Sequence, residues 1–254
     1  MSSTQGRLSG HVSLVTGASS GIGAGVARAL ASEGAIVVAA ARRVDRITQL
    51  AAEIARGGGA AVALELDVGM GNAALVADRV GEVARRYGRL DSVINAAGVM
   101  LSARTLQADV AEWQQMFDTN VLGLMTVTKA AFRIMREQRS GHVVNISSVS
   151  ARLAHAGSPG YAATKSAVNT FSESLRKEGA ALGIRVTVVS PGLVQTELFD
   201  HPADEATRAR FRTMLDAITA LTAADVAAAV VYALSQPRHV SVSEIVIRPT
   251  EEIE

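Results

Sequence analysis

The sequence predicts an α/β protein built on a doubly wound, parallel, seven-stranded sheet with helices on both faces, and three observations lead there. From Val12 onward, short β-branched or aliphatic runs alternate with longer alanine-rich amphipathic runs, the pattern of successive βαβ units. Several of the short runs are apolar along their whole length, as strands covered by helices on both faces must be. The first of them passes through a glycine-rich turn straight into an alanine-rich helix. No linker divides the chain, so residues 1–254 are read as one domain.

The elements follow in order. A strand at 12–16 enters the turn Thr16 to Gly23, and a helix covers 21–33. A second strand at 36–41 leads to a helix at 44–55, which Gly57-Gly58-Gly59 ends. The third strand, 62–66, precedes Gly69-Met70-Gly71, a turn rather than a phosphate loop because no Lys-Ser or Lys-Thr pair follows it. A helix at 73–87, a strand at 92–95, one long helix at 110–139 and a strand at 142–147 come next. After a helix at 161–182 and a strand at 185–190, the segment 193–221 is irregular and then amphipathic, and is read as a substrate lid. A helix at 223–235 and a strand at 244–248 complete the pattern, and right-handed crossovers would wind it both ways from the centre.

Composition excludes several classes of function. Hydrophobic residues make up 48% and charged residues 19%, which rules out a disordered chain and calls for a large aliphatic core. A formal net charge of +1 with no basic stripe offers nothing to nucleic acid or to an anionic membrane, so a small molecule is the expected partner. Cysteine is absent, which removes disulfides and thiolate metal sites. The first ten residues lack a signal-like apolar stretch and no run is long enough to span a bilayer, so a soluble, cytoplasmic protein is expected. His11, His142, His155, His201 and His239 show no metal-ligand spacing; His155 alone lies where it could border a substrate. Trp113 is expected to pack a helix face.

The chemistry is carried by Tyr161 and Lys165. On a helix these i, i+4 positions share a face, so a phenol and an ammonium would enter one cleft, and the ammonium would favour phenolate. Ser148 would reach the same cleft from another element and donate to a substrate oxygen. Alone, such a Tyr–Lys pair is an ordinary feature of helix surfaces. At the other end, the glycines of Thr16-Gly17-Ala18-Ser19-Ser20-Gly21-Ile22-Gly23 let the backbone approach a pyrophosphate, whose charge free N–H groups at the helix start would stabilise.

Taken together, these motifs make the chain resemble the short-chain dehydrogenase/reductase family over nearly its whole length. The resemblance includes Asp67-Val68, Asn95-Ala96-Ala97-Gly98, Asn120, Ser148, Tyr161, Lys165 and Pro191-Gly192 followed by Val194 and Thr196. It implies a Rossmann-type fold and a catalytic tetrad of Asn120, Ser148, Tyr161 and Lys165. It also implies that Gly17, Ser19, Ser20, Gly21, Ile22 and Gly23 form the pyrophosphate loop and that Asp67 and Val68 contact adenine. Asn95, Ala96 and Gly98 would floor the cofactor site, with Pro191, Gly192, Val194 and Thr196 at the nicotinamide carboxamide. Tyr161 would be the acid in reduction and Lys165 would also hold the nicotinamide ribose. Asn120 would anchor a water leading from Lys165 to solvent. The family spacing to Tyr161 selects Ser148 over Ser147.

Two departures from the usual pattern stand out. Ala96 replaces a second asparagine, which would loosen that turn, and the ending Ile247-Arg248-Pro249-Thr250 resembles the branch that includes clavulanate and hydroxy-acid dehydrogenases. The second strand ends Ala41-Arg42-Arg43, where an NAD-selective protein would carry an acidic residue. Arg42, with Arg43 and Ser19, could hold a 2′-phosphate, so NADP(H) is the expected cofactor; alternatively, two arginines simply start a solvated helix. The resulting expectation is a reductase of a ketone or aldehyde, or the reverse alcohol oxidation. A 3-oxoacyl carrier-protein reductase is the alternative, although no compact basic docking cluster is evident. A non-catalytic dinucleotide sensor or scaffold is the rival from another class. Arg208, Arg210 and Arg212 of the lid fit a carboxylate-binding role and a solvated helix equally. The family implies a homodimer or homotetramer; Val121, Met125, Val168, Phe171 and Leu175 could face a second subunit or the chain's own core.

Overall fold

Alternating residues of the sheet feed two separate cores. In the computed structural model, which describes residues 6–69, 73–200 and 205–252, seven strands pair in parallel in the order β3-β2-β1-β4-β5-β6-β7. These are β1 (Val12–Thr16), β2 (Ile36–Ala41), β3 (Ala60–Glu65), β4 (Ser92–Asn95), β5 (Gly141–Ile146), β6 (Ile184–Pro191) and β7 (Glu244–Ile247). The helices are α1 (Gly21–Ser32), α2 (Val44–Arg56), α3 (Ala73–Tyr87), α4 (Val110–Phe117), α5 (Leu124–Gln138), α6 (Pro159–Ala180), α7 (Glu205–Ala217) and α8 (Ala223–Leu234).

On one face, Val15, Val37, Ala39 and Val144 meet α1, α2 and α8 through residues such as Leu30, Ile47 and Val230. On the other, Leu14, Val38, Val93 and Val143 meet α3, α5 and α6 through Val80, Val127 and Leu175. Period-two side-chain alternation thus gives every central strand two buried faces, and this explains the continuous apolar runs. Each fully buried Val or Leu contributes roughly 1.5–3 kcal/mol. Val121, Val168 and Leu175 are buried inside this chain, so its own core accounts for them.

The expected long helix over 110–139 is corrected: α4 and α5 are joined by a π-helical stretch, Asp118–Gly123. Tertiary contacts explain the wider turn. The Asn120 amide donates to the Val99 carbonyl (2.9 Å) and Thr164 Oγ1 (3.2 Å) while its Oδ1 accepts from the Val99 N–H (2.8 Å). These bonds draw residue 120 inward, away from the register of a continuous α-helix. Other ends differ by a residue or two. Helix α6 starts at Pro159 rather than Tyr161, with proline in the first turn, where its missing N–H leaves no bond unmade.

The strand order reverses between β1 and β4, each pairing with the other and with an outward neighbour. A cleft opens beyond the carboxyl ends of strands at such a switch point. The two ends of segment 193–221 are zipped together: Leu221 N–H donates to the Leu193 carbonyl (2.9 Å) and Gln195 N–H to the Leu221 carbonyl (2.8 Å).

Candidate active site

The cleft is a cavity of about 890 Å³ at the carboxyl ends of the strands. Of the catalytic and cofactor-binding residues expected from the sequence, all but Asn95 and Asn120 line it. At its dinucleotide end the β1–α1 turn is built by close backbone approach. Gly17 has φ +66°, and a Cβ there would lie 2.7 Å from the Ala96 carbonyl oxygen; a Cβ on Gly23 would lie 2.3 Å from the Gly17 carbonyl oxygen. Only glycine fits both positions without shifting the backbone. The turn after β4 is tethered despite Ala96, because Thr16 Oγ1 accepts from the N–H groups of Ala96 (3.2 Å) and Ala97 (3.3 Å). That corrects the expected loosening: a threonine on β1 holds the turn.

Beside the glycine turn, the arginines divide their work. The Arg43 guanidinium donates to Ser19 Oγ (2.9 Å) and Ser20 Oγ (2.8 Å), while the Arg42 side chain has no hydrogen bond or ion pair among the described residues. Asp67 Oδ1 accepts from the Gly69 N–H (2.9 Å), which shapes the turn after β3. Asn95 lies behind the cavity wall. Its amide donates to Thr128 Oγ1 (2.9 Å) and Asn145 Oδ1 (2.8 Å), tying β4 to α5 and β5.

At the other end, α6 presents Tyr161 and Lys165, both buried. Ser147 and Ser148 are told apart by their surroundings: Ser147 Oγ donates to Asn169 Oδ1 (2.6 Å), turned toward α6, whereas Ser148 Oγ accepts from the Ser150 N–H (3.1 Å) and Ser148 lines the cavity with Tyr161. Burial pushes the Tyr161 hydroxyl up to about 12, against the opposing pull of Ser148. Burial likewise lowers Lys165 to about 8. The expectation that the ammonium would favour phenolate is therefore corrected. Lys165 Nζ donates to the Ile146 carbonyl (3.0 Å) and lies 5.6 Å from the Tyr161 ring centre, and burial is the largest influence on the phenol. Such a phenol keeps its proton throughout the neutral range and is suited to giving it away.

A sequence profile described as short chain dehydrogenase matches residues 11–206. An uncharacterized oxidoreductase of Staphylococcus aureus is 39% identical over 244 residues, covering 95% of this chain and 98% of that one. The chain belongs to the short-chain dehydrogenase family. Among solved structures, a serine dehydrogenase in its closed form, complexed with NADP+, is similar with a TM-score of 0.85 and 32% identity, over 93% of this chain and 94% of that one. A metagenomic short-chain oxidoreductase in complex with NADP superposes with a TM-score of 0.81 at 29% identity, over 97% of this chain and 100% of that one.

Within this short-chain dehydrogenase, the cavity also draws on residues that sequence reasoning missed. Arg104, Glu197, Leu198, Met214, Glu251 and Glu252 line it. Glu252 Oε2 accepts from the Leu193 N–H (3.0 Å) and Glu251 Oε2 from the Thr219 N–H (2.8 Å), so adjacent carboxylates hold both ends of segment 193–221. Isolated acids and a lone loop arginine carry no motif, and no local signal could have found them. His155 does line the cavity. Of the three arginines in segment 193–221, Arg212 is exposed on α7, and the side chains of Arg208 and Arg210 lie outside the described residues, as does His201. Trp113 packs with Met100, Met116 and Tyr161, as a helix-face residue should. Among the described residues no cluster of His, Asp and Glu could hold a metal, and no helix is long and apolar enough to cross a membrane.

Proposed function

We propose that this chain is an NADP(H)-dependent oxidoreductase that reduces a small ketone or aldehyde to an alcohol, or catalyses the reverse. One observation carries the reading: the buried Tyr161–Lys165 pair and Ser148 line the same cavity as the glycine turn and the Arg42–Arg43 pair. The cradle fits a phosphorylated dinucleotide. Gly17 and Gly23 let the turn close so tightly that a Cβ would meet backbone, which brings the start of α1 to the cavity; Ala41 offers no carboxylate to a ribose, and Arg42 and Arg43 carry positive charge beside the turn. The NADP and NADP+ complexes of the two similar structures support the same choice.

A bound dihydronicotinamide supplies hydride, and this chain's residues handle the oxygen. Ser148 donates a hydrogen bond to the carbonyl oxygen and orients it. Tyr161 gives that oxygen its proton, a step for which a protonated phenol is the correct starting state. Lys165, close to half-protonated near pH 8, moderates the charge left on the phenol and holds the nicotinamide ribose. Asn120 positions the others by fastening the π-helical stretch to the loop after β4 and to α6. All 254 residues act as one domain, with residues 193–221 covering the substrate.

The test is NADPH consumption by the purified protein across aldehydes, ketones and oxoacids. Turnover with members of that panel is expected. Tight NADPH binding with no turnover on any of them would replace the enzyme with a dinucleotide sensor.

A further inference from the structure

The residues just beyond β6 cross over the glycine turn and end on an acid that no dinucleotide motif predicts. A Cβ on Gly21 would lie 3.2 Å from Thr196 Cγ2, so Thr196 sits directly against the turn. The next residue, Glu197, places Oε2 3.3 Å from an Arg43 guanidinium nitrogen. Arg46, one turn along α2, donates to both carboxylate oxygens at 2.8 and 2.9 Å. Burial raises Glu197, but the bonds from Arg46 and Arg43 outweigh it and keep the group below the usual carboxylate range, so it is an anion at neutral pH.

We infer that Glu197 is a cofactor-specificity residue that competes with the 2′-phosphate for Arg43, and that Arg46 limits this competition by holding the carboxylate back. The inference rests on the NADP(H) reading above. Arg43 cannot give one guanidinium face both to Glu197 and to an incoming phosphate. Its contact with Glu197 is the longer one, while Arg46 makes two shorter contacts, so Arg43 can change partners while Glu197 stays on Arg46. Every molecule in which Glu197 occupies Arg43 must release it first, and apparent affinity for a 2′-phosphate falls by the fraction of molecules so occupied. A nucleotide without that phosphate makes no claim on Arg43 and escapes the competition. Both partners are close to half-exposed, so the effect is modest.

Calorimetric titration with adenosine 2′,5′-bisphosphate and with ADP, at low ionic strength, tests this on the whole protein without turnover. Glu197→Gln should tighten the bisphosphate by roughly two- to tenfold and leave ADP within about twofold. Arg46→Met should weaken the bisphosphate, and that loss should vanish in the Glu197→Gln background, because a charge that acts only through Glu197 has nothing left to act on. Unchanged or weaker bisphosphate binding by Glu197→Gln overturns the inference. Equal tightening of ADP also overturns it, as does an Arg46→Met loss that persists in the double variant. Unmodified protein that binds the bisphosphate no better than ADP would instead sink the NADP(H) reading itself, and the inference with it.

Discussion

The two ends of the cleft use charge in opposite ways. At the dinucleotide end, Arg43, Arg46 and Glu197 form ion pairs whose side chains are 43–47% exposed, in surroundings where water screens each contact. At the proposed reacting end, Tyr161 and Lys165 are only 7% and 6% exposed, and burial is the main influence that moves both away from their ordinary proton affinities. Recognition at the first end is a sum of small contacts and can be adjusted one residue at a time. The chemistry proposed at the second would depend on a dry pair whose members cannot be exchanged without changing the state of the proton.

Breaking the dry end should therefore have the largest effect. Tyr161→Phe should lower turnover at least about a hundredfold, the scale of losing a positioned general acid, with little change in NADPH affinity. Single-turnover stopped-flow measurements decide it, and near-wild-type hydride transfer would mean the buried phenol is not the acid. Between the two ends, the backbone turn can be tested with Gly23→Ala. Its Cβ would meet the Gly17 carbonyl oxygen, and overpacking of this kind costs about 1–3 kcal/mol. Urea unfolding should show a loss on that scale together with weaker NADPH binding; full retention of both would mean the turn relaxes freely.

At the exposed end, NADPH should be preferred over NADH by at least about tenfold in kcat/KM, the value of one charge-assisted contact. The double substitution Ala41→Asp/Arg42→Leu should shrink or reverse the preference, since a carboxylate accepts from a ribose hydroxyl and repels a phosphate. An unchanged ratio would reduce Arg42 to a surface charge. The smallest effect lies outside the cleft and asks whether burial governs protonation there too. His142 on β5 is buried, and burial, followed by the nearby Arg185, lowers it to about 3. Thr187 Oγ1, 2.7 Å from His142 Nε2, donates its own proton to the Val242 carbonyl, so Nε2 must carry the ring's hydrogen. A lowered folded value means stability is complete above the unfolded value near 6.5 and declines below it. Stability should drop by about 0.8 kcal/mol more between about pH 7.5 and about pH 6 than it does in His142→Gln. Equal drops in chemical denaturation would show that the ring is hydrated in the folded state.

Much of this architecture was legible because it is written in short-range patterns. Apolar runs at 12–16, 36–41 and 92–95 became strands with those same limits. Ile47, Leu50 and Ile54 recur at helical spacing and are buried on α2. A glycine turn between a strand and a helix, and a tyrosine four residues before a lysine, likewise need no knowledge of distant residues. The helix read through 110–139 failed for the complementary reason. Its apolar periodicity runs on without a mark, and the π-helical stretch is imposed by bonds from Asn120 to Val99 and Thr164, up to 44 positions away.

By itself, then, the sequence determined the order of strands and helices, the two-sided covering of the sheet, the glycine turn and the side chains proposed here for carbonyl chemistry. Each depends on neighbours within a few residues. Tertiary structure alone decided that Ser147 turns to Asn169 while Ser148 lines the cavity with Tyr161, and that Arg43 reaches the serines while Arg42 has no hydrogen bond or ion pair among the described residues. It alone brought Glu197 to Arg46 across 151 positions and set the proton affinities of Tyr161 and Lys165 by burial. Partner choice and desolvation are properties of the assembled chain, because a charge's energy depends on which atoms exclude water from it, and those atoms come from everywhere in the sequence.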